Sequence, residues 1–286
     1  YLGLKCGAPL RKRMKQLPDD TKQELSLQLK DTLQTIECYN PATAANKVTS
    51  YYGTAGTSFV GGFKANLLGD ENLSEKLFAD VIPNSRMAVA ENKVSHDNSY
   101  QYALFSYALL LGYEEQVEES AAVLLALDIP NDIRFRAPPE FYLMLAHLWR
   151  GETDAAMQML GGIEKLESKK SEFYIQPGVS KLVRGVVNNE PSLMKEGAHL
   201  LFDKHLHTTK YFRTALENNH YFCEPVTLLT IIGRKLGVDV KAIIGDTTAL
   251  LKTKTFSPID RPEIPANKKF EVPVDPVPSC FLKTRG

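Results

Sequence analysis

Leu148-Trp149-Arg150-Gly151-Glu152 carries an apolar stretch up to a glycine, sets an acid directly after it and opens a second amphipathic stretch. Glycine enters the left-handed conformation that closes a helix without a Cβ clash, and the acid favours the positive end of the next helix. The five residues therefore read as a helix, a tight turn and a second helix running back along the first.

The pattern occurs three more times, at Leu67-Leu68-Gly69-Asp70, Leu110-Leu111-Gly112-Tyr113-Glu114 and Val187-Asn188-Asn189-Glu190. Turn residues 69, 112, 151 and 189 stand 43, 39 and 38 positions apart, close to the length of two packed helices and a connection. The full residue signature of the common helical repeat of about 34 residues is absent. The expected fold is all-α, with helical hairpins stacked as a bundle or as a degenerate α-solenoid.

The stretches between the turns agree with this. Phe141, Leu145, Leu148 and Trp149 fall at i, i+4, i+7 and i+8, and Val179, Leu182, Val183, Val186 and Val187 repeat the stripe, the spacing of one buried helix face. Helix starts are marked by Pro18-Asp19-Asp20, ahead of a segment to Tyr39, and by Ala137-Pro138-Pro139-Glu140, ahead of one ending at Arg150. Roughly ten to twelve helices are expected. The small residues from Gly53 through Gly56 to Gly61 and Gly62 read as a helix that lets a neighbour approach closely.

Residues 1–255 are read as one helical domain. Six of the 16 prolines follow, at Pro258, Pro262, Pro265, Pro273, Pro276 and Pro278, so residues 256–286 form an extended tail. Its Phe256, Ile259, Ile264, Phe270, Val272 and Phe281 are too apolar for a free linker, and packing on the helical body or on a partner is expected.

At 286 residues with 43% hydrophobic and 24% charged side chains, the chain has the composition of a folded globular protein rather than a disordered one. The 34 basic residues balance 34 acidic ones, which argues against nucleic acid as a ligand. No run of 18 apolar residues suggests a membrane span. Charge clusters at Arg11, Lys12, Arg13 and Lys15 and at Glu114, Glu115, Glu118 and Glu119; solvated helix faces account for both. The scattered Cys6, Cys38, Cys223 and Cys280 fit reduced thiols in a cytoplasm. Because the first residue is Tyr1 and not Met, an export leader ahead of it stays open.

Chemical motifs are sparse. His199, His205, His207 and His220 fall within 22 residues, but His205 and His207 point to different sides of a helix and no HExxH is present, so no metal is expected. Neither GxxxxGK[ST], GxGxxG nor GxSxG occurs, and no cofactor or catalytic residue is assigned. Glu114 and Glu118 stand at i, i+4, as an exposed acidic face also does.

The segment Glu140 to Lys241 carries a further set of features. They are the helix Phe141 to Trp149, the turn Gly151-Glu152, the helix Val179 to Val187 with Asn188-Asn189-Glu190, and Ala198-His199-Leu200-Leu201-Phe202-Asp203-Lys204-His205. His220-Tyr221-Phe222-Cys223-Glu224-Pro225-Val226-Thr227-Leu228-Leu229 follows, and Gly233-Arg234-Lys235-Leu236-Gly237-Val238 closes the set. In this arrangement the segment resembles the immunity protein 49 family, helical proteins that protect a bacterium from a cognate polymorphic toxin or type VI effector. The resemblance implies inhibition by direct binding, with a protein toxin as partner and no catalytic residue to carry over; the contact residues stay unassigned. Two other functions remain open from the residues alone. One is a helical-repeat scaffold or regulator that binds peptides or proteins. The other is an enzyme with a scattered site, for which His199, His205, Cys223 and Glu224 are the candidates.

Overall fold

The computed structural model describes residues 19–39, 41, 43–92, 98–127, 139–167, 177–208 and 224–244. Among them are twelve helices and no strand. The tail at 256–286 and the basic run at 11–15 lie outside the described residues. Within the span read as one helical domain, the helices group into two compact units that divide between Gly112 and Tyr113.

The first unit holds α1 (Asp19–Cys38), α2 (Lys47–Leu68), α3 (Glu71–Ala79), α4 (Val81–Glu91) and α5 (Ser99–Leu111). Asn46 caps α2 by accepting from the Thr49 N–H, and Asp70 caps α3 by accepting from the Leu73 N–H. Each satisfies a first-turn donor that a helix leaves unpaired. α2 is the central element and packs against α1, α3 and α4. Its small residues serve that position, since a Cβ at Gly62 would stand 2.6 Å from the Phe78 ring. The expected close approach is therefore present.

Phe59 lies at the centre of an aromatic core, with ring centroids 4.9 Å from Phe63, 6.1 Å from Phe78 and 4.8 Å from Tyr107. Full burial of such a ring contributes roughly 1.5–3 kcal/mol. α3 and α4 are separated by Asp80 alone. Pro83, two residues into α4, lacks the N–H that a continuous helix would need there.

The second unit holds α6 (Glu114–Ala126), α7 (Pro139–Trp149), α8 (Thr153–Glu167), α9 (Val179–Asn188), α10 (Pro191–Thr208), α11 (Glu224–Lys235) and α12 (Val240–Ile244). Each of α6 to α10 packs on the next in sequence. α11 returns to pack on α7 and α9, and α12 covers α10 and α11. A solenoid repeat touches only its neighbours; the return of α11 closes this unit into a bundle built of hairpins. Its core joins Met144, Leu145 and Leu148 to Leu160, Leu182, Val183, Leu201, Leu229 and Ile232, all without exposure.

All four turns have the expected form. Gly69, Gly112, Gly151 and Asn189 are left-handed, and Asn189, with φ 54, is the only non-glycine residue among those described with positive φ. Around Asn189 the Glu190 N–H donates to the Gly185 carbonyl and the Asn189 N–H to that of Val186. This is the paired bond pattern that satisfies the last carbonyls of a helix. The same pair closes α2 at Gly69 and α7 at Gly151, whereas Gly112 makes a single bond to Ala108. A fifth such turn, at Gly237, links α11 to α12. Past the α9 turn the hairpin is tight: a Cβ on Gly197 would collide with the Leu182 backbone.

Candidate functional site

The residues with chemical potential do not converge among those described. His199 is exposed on α10, and Glu224 opens α11 partly buried. His205 and His207 belong to α10, but their side chains lie outside the description, as do His220 and Cys223 altogether. Among the described residues no three His, Cys, Asp or Glu side chains stand together as a metal would require. Cys38 is a free, exposed thiol at the end of α1. No described helix is long and apolar enough to cross a membrane.

What the second unit does present is ordered charge. Glu114, Glu115, Glu118 and Glu119 are all exposed along α6, as a solvated face requires. Glu118 pairs with Arg150 Nε at 3.3 Å, and Arg150 reaches Glu152 at 3.6 Å. Glu152 also meets His147 Nδ1 at 2.7 Å. The α7–α8 turn thus sets one arginine and one histidine against two acids.

A second charged face spans α8, α9 and α10. Arg184 pairs with Glu164 at 2.7 Å, and Lys181 pairs with Glu196. Leu200 stands one turn beyond Glu196 and is 36% exposed. Exposed pairs of this kind add little stability, about 0–1 kcal/mol each, but they fix the positions of surface charges. Glu167, ending α8, holds the start of α9 by accepting from the Ser180 N–H at 2.8 Å and from Ser180 Oγ at 2.6 Å. Behind the turn, Lys235 Nζ lies 4.5 Å from the Trp149 ring centroid, a cation–π contact between α11 and α7.

Among the described residues two acids have unusual proton affinity. Burial pushes the Glu224 carboxyl up to about 7. Burial also raises that of Asp80 to about 6, against the opposing charge of Lys76. Burial raises the Tyr113 phenol, and burial together with Glu91 raises that of Tyr51.

No family model, no curated protein and no solved structure matches the chain. The sequence marked the α6 acids and Glu224 but not the α8–α10 face. Lys181 and Arg184 alternate with the apolar stripe of α9, and that spacing was the available signal.

Proposed function

We propose that this chain is an immunity protein that binds and neutralises a cognate bacterial protein toxin by direct contact, without catalysis. One observation carries the reading. The features that resemble the immunity protein 49 family run from Glu140 to Lys241, and those among the described residues fold together in the second unit. The helix Phe141–Trp149, the Gly151 and Asn189 turns and the Gly233–Gly237 turn are parts of one bundle.

Inhibition by binding needs a preformed surface with a few anchors rather than reactive groups. The α8–α10 face has that character, with the Lys181–Glu196 and Arg184–Glu164 pairs and the part-exposed Leu200 on α10. The decisive experiment is to co-express the chain with the toxin encoded beside its gene and to measure survival and complex formation. Protection together with a stable one-to-one complex is expected. If the neighbouring genes encode no toxin, or the toxin neither binds nor is neutralised, the reading fails.

A helical scaffold that binds several partners is the second reading, favoured by the repetition of one turn at about 40-residue spacing. It predicts several weak partners in place of one strong one.

A further inference from the structure

α8 packs on α7 and α9, and its buried residues, Ala156, Leu160 and Ile163, share one side of the helix. The opposite side is open. Asp154, Gln158, Gly161 and Lys165 are all exposed there. They follow one another at steps of four, three and four residues, which sets them in one straight stripe about 16 Å long. Alternating steps of three and four are the spacing of a seam along which two helices lie together. No atom of the chain stands within 4 Å of a Cβ placed on Gly161 or on Gly162 beside it. Glycines weaken a helix, and nothing within the chain uses the room these two leave.

The stripe carries an acid at one end and a base at the other. Turned end for end against a copy of itself, it is complementary at every position. Asp154 meets Lys165 of the second copy, Gln158 meets Gly161 of the second copy, and both contacts recur by symmetry. Self-matching of this kind is what a two-fold axis requires. A parallel arrangement instead sets acid on acid and base on base. The whole chain balances 34 basic residues against 34 acidic ones, so net charge does not hold two copies apart.

We propose that the exposed face of α8 is a docking surface for a second copy of this chain. The two α8 helices lie antiparallel about a two-fold axis, with an Asp154–Lys165 pair at each end and each Gln158 side chain seated over the bare backbone of the opposite Gly161. This pairing is a property of the chain alone and goes beyond the toxin-binding reading. One helix contact covers less than the roughly 800 Å² per partner of a standard interface, so the dimer is weak and forms as concentration rises.

The test is sedimentation velocity on the full chain from about 10 μM to about 1 mM, the range of weak association. The wild-type chain is expected to pass from the mass of one chain to that of two, and less completely in about 0.5 M salt, which screens exposed pairs. Lys165→Glu and Asp154→Lys each set like charges together at both ends and should raise the dissociation constant about ten-fold or more. The double variant exchanges the two signs and should return association to within about three-fold of wild type. Gly161→Gln fills the seat of the opposing Gln158 and should abolish the dimer while leaving helix content unchanged. Asp154 also lies in the first turn of α8; if Asp154→Lys frays that helix, Lys165→Glu and Gly161→Gln decide. A chain that keeps the mass of one copy throughout overturns the proposal. So does a dimer that survives Lys165→Glu and Gly161→Gln, or a double variant with α8 intact that does not repair the single reversals.

Discussion

Lys64 on α2 donates from Nζ to Thr32 Oγ1 on α1 at 2.9 Å, and the same hydroxyl donates to the Gln28 carbonyl at 2.7 Å. The lysine is 1% exposed, and the core beside it includes Leu29, Ile36, Ala65 and Leu77. A hydroxyl thus relays an amine to the backbone of the neighbouring helix. Removing one hydrogen-bond partner of a buried polar group leaves part of its desolvation cost uncompensated. Thr32→Val should lower stability by about 1–3 kcal/mol, and Thr32→Ser, which keeps the hydroxyl, by clearly less. Urea unfolding reads the difference; equal midpoints for the two variants would show that the relay contributes nothing.

Glu224 gives a pH prediction of definite sign. Its carboxyl rises from 4.5 to about 7 through burial, so between those values the folded chain binds more protons than the unfolded one. Stability from this group is complete below 4.5 and lost as pH rises through about 7. Glu224→Gln should raise the Tm at pH 8 by the equivalent of about 1–2 kcal/mol, allowing for partial exposure. At pH 4 it should leave the Tm unchanged. A variant equally shifted at both values would rule out the titration as the cause.

Gly161 and Gly162 sit inside α8 with nothing within 4 Å of an added Cβ. Glycine in a helix interior costs about 0.5–1 kcal/mol relative to alanine, and neither position has a packing reason for it within one chain. Gly161→Ala and Gly162→Ala should each raise stability by that amount, read as a higher urea midpoint. Gly62→Ala should lower stability by about 1–3 kcal/mol, because the new methyl meets the Phe78 ring. The opposite signs separate an open helix surface from a close crossing.

Ser180 takes both oxygens of Glu167, one on its N–H and one on its hydroxyl. Glu167→Ala frees a first-turn donor of α9 and should cost about 1 kcal/mol. The Ser180 amide should then exchange with solvent about ten-fold faster, while the buried amides of α7 keep their protection. Unchanged exchange at Ser180 would mean that the α9 start is held by other contacts.

Much of the architecture was legible because its signals are local. A left-handed residue closes a helix whatever lies around it, and all four such turns are found where their residues predict them. The apolar stripe of α9 was equally readable, with Val179, Leu182, Val183 and Val186 all buried; Val187, at the edge of the stripe, is only partly so. The return of α11 onto α7 and α9 was not, since it joins helices far apart in sequence, with Gly233 coming close to Val186 of α9. The polar devices escaped for the same reason. Nothing near Lys64 in the sequence announces Thr32, 32 positions away. The α8–α10 ion pairs likewise need three helices to be placed before they exist.

The return of α11 also bears on how the chain folds. The hairpins of the second unit join partners close in sequence, and local contacts form fast because little loop entropy opposes them. α7 and α8 can pair as soon as both have left the ribosome. The seat of α11 on α7 must wait for residues synthesised long afterwards, and until then the apolar flank of α7 lacks its cover. We expect that docking step to set the folding rate, and the Lys235–Trp149 contact to form late, with Trp149, the chain's one tryptophan, as its natural fluorescent reporter.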